Sequence, residues 1–377
     1  MPEFGSGAKL LAKDSSMYIN VGLRFQNLVS AEWSLADVEK GYATDFDVNA
    51  LVRRSRLKFD GWAISPKLIY KLELALSNRD NGGGNIDEFG DAANIILDAF
   101  VSYNFYKNFA VKFGQGKLAG NRERVISSGD LQFVDRSRLN SRFTIDRDVF
   151  VQIGYTQSIA NNFIFVSSAS IGLGEGRNQL TGYNDGFNYT YRVEFLPFGL
   201  FQSDGDYVGS SIVRESSSKL AIGITYDNNQ NSIRERGQLG KFIEDSNGNS
   251  FGKNLNTIFV DFMYKYKGLS IMGEFADKST SDGDPLVFDL ESNLIGTFYT
   301  GVAYNLDFGY MFDNNVEVVF RYTNVNADIA SDEKHYTIGL NKFFVGHNLK
   351  LQTDFSLVNL EEDQNVALWR TQFDIHF

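Results

Sequence analysis

Apolar and polar residues alternate through most of the chain. Residues 349–357 show the pattern, with Leu349 and Phe355 on one parity and Lys350 and Asp354 on the other. A period of two places the apolar side chains on one face of a β-strand and the polar side chains on the opposite face. The pattern therefore predicts a protein built from strands, and it predicts no amphipathic helix of any length between them.

There are sixteen alternating runs, and each is about ten residues long, roughly twice the length of strands in soluble sheets. A tilted strand needs about this length to cross a bilayer. The sequence therefore predicts an all-β transmembrane antiparallel barrel, and the alternative is a soluble β-sandwich or β-repeat protein. The predicted strands are 17–28, 50–61, 66–77, 94–105, 108–115, 147–158, 162–172, 187–198, 218–227, 256–266, 268–277, 297–311, 315–325, 335–344, 347–358 and 366–377.

Short and long connections alternate between these strands. Those after even-numbered strands are mostly one to four residues long, although 199–217 is an exception. Those after odd-numbered strands are long and include 29–49, 78–93, 116–146, 228–255 and 278–296. Short turns at one end and long loops at the other are typical of bacterial outer-membrane barrels, and an even strand number puts both termini at the periplasmic end.

The final strand ends on Phe377. Aromatic or apolar residues precede it at alternate positions, namely Ala367, Trp369, Thr371, Phe373 and Ile375. This arrangement resembles the assembly signal of outer-membrane barrels. We predict one barrel, residues 17–377, in the outer membrane of a Gram-negative bacterium. Residues 1–16 are interpreted as an N-terminal tail whose first residues need not be native, because they lack the basic and apolar regions of a signal peptide.

Composition narrows the classes of function. Aromatic residues reach 14%, which fits the interfacial girdles of such barrels and excludes a disordered chain. The net charge of −11 argues against nucleic-acid binding. There is no cysteine, and nothing brings His335, His347 or His376 together with a serine. We therefore predict no enzyme, no cofactor and no metal site.

Some strand positions opposite the apolar face carry cations. If the apolar faces meet lipid, Arg54, Arg56 and Lys58 form a ladder of inward charges on the second strand. Lys112 faces inward from the fifth strand by the same logic. Inward charges of a barrel can simply pair across the lumen, and this alternative applies to any single residue. The ladder is the better candidate for function because three cations in succession are harder to neutralise locally.

The longest connection, 116–146, is basic within an acidic chain. It has four acidic residues and six cations, which are Lys117, Arg122, Arg124, Arg136, Arg138 and Arg142. Four other long-side loops are acidic, namely 29–49, 78–93, 278–296 and 359–365. If loop 116–146 folds into the pore, its potential attracts anions and repels cations. If it stays outside, its arginines form only a solvated face.

Six stretches point to a known family. They are 53–61 (RRSRLKFDG), 97–101 (LDAFV), 111–115 (VKFGQ), 130–137 (DLQFVDRS), 147–149 (RDV) and 197–199 (PFG). From about residue 17 to 377 the chain resembles the phosphate-selective porins (porin O and P type) of Gram-negative bacteria. The resemblance implies a homotrimer of 16-stranded barrels, each with its third long loop, here 116–146, folded inward as a constriction.

The resemblance also implies an anion-binding site. Its residues are Arg124, Ser127, Ser128 and Arg136 on the loop, with Arg53 and Arg54 on the adjoining wall. Guanidinium donors match phosphate oxygens, and hydroxyls add neutral donors. Arg53 poses a conflict, because strand alternation gives it the outward parity of Leu57, whereas the resemblance places it near the ligand.

We therefore expect a passive channel for small anions, with phosphate as the candidate substrate and outer-membrane lipids around the barrel. The alternative is a general diffusion porin for small hydrophilic solutes with a weak ion preference. An outer-membrane enzyme or an adhesion barrel has no clear signal in the sequence. The candidate site residues are Arg53, Arg54, Arg56, Lys58, Lys112, Arg124, Ser127, Ser128, Arg136 and Arg138.

Overall fold

The computed structural model describes residues 4–35, 46–81, 95–160, 162–179, 185–360 and 365–377. The strands are β1 Ala8–Leu11, β2 Met17–Ser34, β3 Phe46–Ala63, β4 Ser65–Ala75, β5 Ile96–Tyr106, β6 Phe109–Lys117, β7 Arg147–Ala160, β8 Phe163–Gly172, β9 Asn188–Leu196, β10 Lys219–Ser232, β11 Lys253–Tyr266, β12 Leu269–Thr280, β13 Leu286–Phe288, β14 Leu294–Thr297, β15 Gly301–Met311, β16 Val316–Ala327, β17 Glu333–Val345, β18 Leu349–Leu360 and β19 Val366–His376.

Sixteen of these strands pair antiparallel in chain order, and β19 pairs with β2 to close the cylinder. The predicted all-β, 16-stranded antiparallel barrel is therefore confirmed. Fifteen predicted strands differ from the observed strands mainly at their ends. The predicted strand 297–311 begins later, at Gly301, because Leu294–Thr297 pairs with Leu286–Phe288 in a separate hairpin.

Helical segments are few and short in the described residues. They are α1 Asn78–Asn81, α2 Arg122–Val125 and α3 Arg138–Phe143, with a 3₁₀ segment at Gln202–Tyr207. No helix in this part of the chain is both long and apolar enough to span a membrane. α2 and α3 both belong to the connection between β6 and β7, which runs from 118 to 146 rather than 116 to 146 because β6 ends at Lys117.

Two kinds of environment follow from the alternation. Along β15, every second residue from Gly301 to Met311 is buried, and the intervening residues Val302 to Tyr310 are exposed. The exposed set is apolar or aromatic, as a lipid-facing surface requires. The predicted separation of one apolar outward face from one lumen face is confirmed on this strand, and the same parity is seen on β11 and β18.

Not all lumen-facing positions are polar. Phe150, Phe259 and Val325 point inward and are fully buried. They pack against Leu139 and Phe143 of loop 118–146 in one apolar cluster. Burying such side chains stabilises the loop in the same way that a soluble core is stabilised.

A short N-terminal strand lies outside the barrel closure. β1 pairs with residues 18–21 of β2, on the edge that β19 pairs with further along the strand. Phe4 lies against Phe377, with ring centroids 6.1 Å apart. Of the predicted acidic loops, residues 36–45, 82–94 and 361–364 lie outside the described residues.

Candidate functional site

A β-bulge places two neighbouring arginines on the same face of β3. Gln26 of β2 pairs with Arg54 and Asn27 pairs with Val52, so Arg53 has no partner residue on β2. A bulge of this kind turns an extra side chain towards one face of the sheet. The bulge resolves the conflict at Arg53, because both Arg53 and Arg54 lie on the inward side.

The two arginines have different partners. Arg53 is 4% exposed and donates to the carbonyl of Val134 at 2.8 Å, with a salt bridge to Asp135 at 2.5 Å. Arg54 hydrogen-bonds to Gln26 and lies 3.7 Å from a carboxylate oxygen of Asp80. Arg53 therefore ties the loop to the wall, whereas Arg54 remains at the surface of the cavities described below.

The lower part of the cation ladder is largely paired. Arg56 donates to Asp80 at 2.7 Å and to Glu73 at 2.8 Å, and Lys58 lies 3.0 Å from Asp60. The carboxylates come from β4, from α1 and from the ladder strand itself. The cations of this run were predicted to be hard to neutralise locally. Asp80 on α1 nevertheless pairs with Arg56, and strand alternation cannot reveal this contact.

Loop 118–146 is held by ion pairs with inward-facing residues. Arg122 at the start of α2 donates to Asp261 on β11 at 2.8 Å and to Glu194 on β9 at 2.6 Å. Glu123 accepts from Arg321 on β16 at 2.6 Å. Buried charges need such partners, since an unpaired ion in this environment is costly. These contacts join the loop to the wall on the side away from β3.

The tip of the loop reaches the seam where the first and last barrel strands meet. Arg24 on β2 donates to Ser128 Oγ at 2.8 Å and also to Asp374 on β19 at 2.7 Å. On the neighbouring strand β18, Lys350 Nζ donates to the carbonyl of Gly129 at 2.6 Å. Together with Arg53, these contacts tie loop residues 128–135 to strands on both sides of the seam.

A strongly basic cavity of about 190 Å³ lies between the loop and the wall. Nine cationic and two acidic side chains line it. The lining residues are Arg54, Arg56, Arg79, Asp80, Leu97, Lys117, Arg124, Ser128, Arg136, Asp146, Arg147, Arg177, Arg234, Gln238 and Leu239. So many cations in one water-accessible cavity produce a positive potential that favours anions.

Four of these cations form no salt bridge within the described part of the chain. Lys117 Nζ donates only to the carbonyls of Val125 and Ile126, both at 3.1 Å. Arg136 donates to the carbonyls of Glu123 and Ile126. The other two are Arg177, which donates to the carbonyl of Asp80 at 2.8 Å, and Arg79, which has no hydrogen bond among the described residues. No described carboxylate forms a salt bridge with these four side chains, and the three guanidinium groups among them are charged at neutral pH.

Two larger cavities adjoin the central one. A cavity of about 510 Å³ towards the long loops shares Arg54, Arg79, Arg124 and Arg136 with it. A cavity of about 340 Å³ towards the short turns shares Arg56. The shared residues link the three cavities along one side of the lumen, and we call this series the basic path.

Neighbouring arginines lower the pKa of two acidic residues of the loop, Asp135 and Asp146, and so hold them in their charged form. Burial alone would raise the pKa of Asp135, but Arg53, Arg370 and Arg54 outweigh it and hold that pKa well below its usual value. For Asp146, burial is likewise outweighed by Arg124 and Arg147. Burial and then the charge of Arg124 lower the pKa of Arg136, which is still a cation at neutral pH.

Most of the predicted site residues line the basic path. Arg54, Arg56, Arg124, Ser128 and Arg136 line the central cavity. Lys58 and Ser127 line the short-turn cavity, and Arg138 lines the long-loop cavity. Arg53 anchors the loop instead, and Lys112 lies outside the path.

Lys112 and Arg138 have partners of their own. Lys112 Nζ lies 4.3 Å from the ring centroid of Phe100 and 5.3 Å from that of Phe150, and it lines none of the three cavities. Arg138 pairs with Glu333 at 2.5 Å. A cation over an aromatic face is stabilised without a carboxylate.

Four cations of the central cavity were predicted neither as site residues nor as part of the basic loop. These are Arg79, Arg147, Arg177 and Arg234. Arg147 begins β7 at inward parity and also opens the stretch 147–149 that contributes to the family resemblance, so two signals pointed to it. Arg79, Arg177 and Arg234 come from three separate connections, and no local pattern relates them.

The phosphate-selective porin O and P family matches this sequence over residues 27–375. The chain belongs to that family. It is accordingly an outer-membrane porin of Gram-negative type, a passive channel rather than an enzyme, and the barrel architecture agrees with that assignment. Among curated proteins, none matches this porin by sequence.

Three solved structures with a similar fold are distant from this porin in sequence. The outer-membrane channel DcaP of Acinetobacter baumannii is 13% identical, with 98% of the porin and 100% of DcaP covered and a TM-score of 0.55. An anion-selective porin from Comamonas acidovorans is 11% identical, with 95% and 99% covered and a TM-score of 0.53. OmpT of Vibrio cholerae in a trimer form is 11% identical, with 95% and 99% covered and a TM-score of 0.51.

Proposed function

We propose that this porin conducts small anions through the basic path, with phosphate as the candidate substrate. The single observation that carries the proposal is the central cavity, where nine cations face two acids and four of the cations have no salt bridge in the described chain. Guanidinium groups that keep free donors bind phosphate oxygens well. The family description and the anion-selective porin of similar fold support the same conclusion.

The proposal gives loop 118–146 the role of a constriction. Its apolar side and its buried ion pairs face β9, β11 and β16, so its Arg124, Ser128 and Arg136 face the opposite wall, which carries Arg54. An ion that crosses the barrel along this side meets cations from both surfaces. Binding at several neighbouring sites lets each anion leave as well as enter.

A homotrimer is part of the proposal. It is supported by the family resemblance and by the trimer form of the similar OmpT structure. The exposed apolar bands of the barrel strands provide surface for lipid and for neighbouring subunits. Unheated gel electrophoresis with chemical cross-linking should give a species of three chains, and a monomer at every cross-linker concentration would contradict the trimer.

Conductance measurements test the anion proposal. In planar bilayers with a potassium chloride gradient, the reversal potential should indicate that chloride is the more permeant ion. Phosphate should reduce the chloride current at low concentration. The double variant Arg79→Gln/Arg136→Gln should lower anion selectivity and weaken the phosphate block by roughly tenfold or more, because each charged hydrogen bond is worth about 1.5–3 kcal/mol.

A matched control removes a cation outside the path. Lys267 lies at a short turn over the ring of Tyr266, and Lys267→Gln should leave both measurements unchanged. Cation preference in the wild type would exclude the anion channel. Anion preference without a phosphate effect would instead identify a general diffusion porin with a weak ion preference.

A further inference from the structure

The connection 199–217 contacts lumen-facing residues, although it belongs to the short-turn end of the barrel. Phe201 is 5% exposed and packs in one apolar cluster with Met263 and Met272 of the wall. Ile126 and Leu131 of loop 118–146 belong to the same cluster. The connection therefore shares a core with the proposed constriction loop.

Polar contacts fix this connection to three separate parts of the wall. Lys265 on β11 donates to the carbonyl of Val208 at 2.7 Å. Ser210 Oγ donates to Glu317 on β16 at 2.6 Å. His347, in the turn before β18, contacts the carbonyl of Gly209 at 3.0 Å. A segment held at three places along its length provides a rigid surface on the lumen side.

The tip of loop 118–146 contacts that surface directly. The amide of Gly209 donates to the carbonyl of Asp130 at 2.7 Å. Gln132 also donates to Glu317 at 2.8 Å, so one carboxylate accepts from both segments through Gln132 and Ser210. The two segments are therefore joined both directly and through the wall.

Glycine is required at position 209 by the closeness of this contact. A Cβ atom there would lie 2.5 Å from the amide nitrogen of Gln132 and 2.6 Å from the carbonyl oxygen of Asp130. Gly209 is not among the glycines with positive φ, so its backbone conformation alone does not demand glycine. The constraint comes from the backbone of the opposite segment, which cannot rotate away as a flexible side chain can.

We infer that connection 199–217 is a positioning element of the anion path and that Gly209 is its positioning residue. It holds residues 130–132 of the constriction loop from the short-turn side. Ser128 precedes and Arg136 follows residues 130–132 in the chain. The position of these residues along the pore axis therefore determines where the donors of Ser128 and Arg136 meet the path. The inference rests on the proposed function, because it concerns the placement of the same anion-binding residues.

The test compares two glycines of the same connection in the full-length channel. Gly209→Ala introduces the clash with the loop backbone. Gly205→Ala is the matched control, because the atoms nearest to its Cβ would be side-chain atoms of Phe201, at 3.3 Å, and of Glu215. Both variants are refolded, checked for the shift in gel mobility on heating that marks a folded barrel, and measured in planar bilayers with chloride and with inorganic phosphate.

Gly209→Ala should change the single-channel chloride conductance and raise the phosphate concentration for half-maximal block by roughly fivefold or more, a loss comparable to weakening one charged hydrogen bond. Gly205→Ala should match the wild type. A folded Gly209→Ala channel with wild-type conductance and wild-type phosphate block would overturn the inference, since a purely structural contact would alter stability alone.

The outcomes separate this inference from the proposed function. If phosphate does not block the wild-type channel, the phosphate site is wrong, and positioning is then judged from chloride conductance and reversal potential. If Gly209→Ala does not fold, Ser210→Ala replaces it, because that variant removes only the hydrogen bond to Glu317. Ser210→Ala should change the chloride conductance and the phosphate concentration for half-maximal block in the same direction by a smaller factor. If neither changes, the inference that this connection positions the loop is contradicted.

Discussion

At the scale of single residues, Arg53 and Arg54 show how neighbours can serve different purposes. Both face the lumen because of the bulge in β3. Arg53 is buried against Val134 and Asp135 of the loop, whereas Arg54 lines the central cavity and its Nε has no hydrogen-bond partner among the residues that the structure describes. One arginine therefore stabilises the loop, and the other contributes charge to the path.

Substituting each arginine in turn should separate these roles. Arg53→Gln should lower the free energy of unfolding by roughly 1–3 kcal/mol, because buried loop groups lose their partner. Arg54→Gln should affect stability less and anion selectivity more. Thermal unfolding in detergent and the reversal potential in a chloride gradient measure the two effects. The reverse ranking in both measurements would show that the roles are exchanged.

His347 provides a pH-dependent contact at the short-turn end. Its Nδ1 lies 3.0 Å from Lys350 Nζ, and its Nε2 lies 3.0 Å from the carbonyl of Gly209. Burial and then the charge of Lys350 lower the pKa of His347 to about 3. The ring is therefore neutral in the folded protein and accepts from the lysine at Nδ1, whereas in the unfolded chain it gains a proton below about pH 6.5.

The sign of the effect follows from that difference in pKa. Above about pH 6.5, His347 is neutral in both states and does not reduce the free energy of unfolding. As the pH falls from 6.5 towards 3, the free energy of unfolding decreases, because only the unfolded chain binds the extra proton. At pH 4.5 the loss should be roughly 2–3 kcal/mol. His347→Gln should reduce the difference between the unfolding temperatures at pH 7.5 and pH 4.5.

His335 is the control for this pH effect. It lies at the long-loop end beside Glu333, at 3.0 Å. His335→Gln should not reduce the acid destabilisation. An equal reduction in both variants would mean that the wall contacts of His347 are not its source.

At the scale of elements, α3 is the part of loop 118–146 whose packing resembles a soluble core. Ser137 caps its first turn by accepting from the amide of Asn140. Leu139 and Phe143 are buried on one side of the helix, and Ser141 is exposed on the other. This apolar side adds packing to the ion pairs of α2 and to the polar contacts that Arg24, Arg53 and Lys350 make with the loop.

Removing the largest of these side chains should release the loop. Phe143→Ala should lower stability by roughly 3–5 kcal/mol, since the cavity left in a packed cluster cannot refill. It should also increase fluctuations of the open-channel current. Ser141→Ala on the exposed side is the matched control. A Phe143→Ala channel with unchanged unfolding temperature and steady current would show that this packing does not hold the loop.

The strands themselves illustrate which local features can be read without a structure. Alternation identified every barrel strand, because lipid requires an apolar residue at each outward position. Strand ends were less accurate, since the predicted strands 17–28 and 218–227 stop well before the ends of β2 and β10. The strand at 297–311 was predicted too long, since residues 294–297 pair in a hairpin with the same local pattern. Alternation also could not predict the bulge at Arg53, because a bulge interrupts the period of two.

At the scale of the whole molecule, net charge and local charge have opposite signs. The chain carries a net charge of −11, yet the basic path is dominated by arginine and lysine. A permeating ion responds to the nearby cations when salt is low enough that screening acts over about 10 Å, as at 0.1 M. At 1 M salt, screening acts over about 3 Å and much of this field is lost.

Anion selectivity should therefore depend on ionic strength. The anion-to-cation permeability ratio, measured at a fixed gradient ratio, should be several-fold higher around 0.1 M than around 1 M potassium chloride. Reversal potentials at the two salt levels provide the measurement. A ratio that does not change with salt would show that size, rather than the field of the basic path, selects the ion.

The candidate site was less accessible to sequence reasoning than the barrel. Parity identified Arg54, Arg56 and Lys58 as inward, and the family resemblance identified Arg124, Ser128 and Arg136. Arg79, Arg177 and Arg234 were missed, because each is in a different connection and the three meet only in the folded protein. The sequence also could not show which cations are neutralised. Asp80, for example, pairs with Arg56 from a separate helix.

The sequence by itself determined the number of barrel strands, their order, their lipid-facing parity and the position of the basic loop 116–146. These properties are local or periodic, and the bilayer imposes them at each strand. The tertiary structure alone decided which lumen positions are apolar, which cations lack a partner, and that 199–217 contacts the loop tip. A lumen accepts polar and apolar side chains alike, so only the contacts between distant segments determine what each inward residue does.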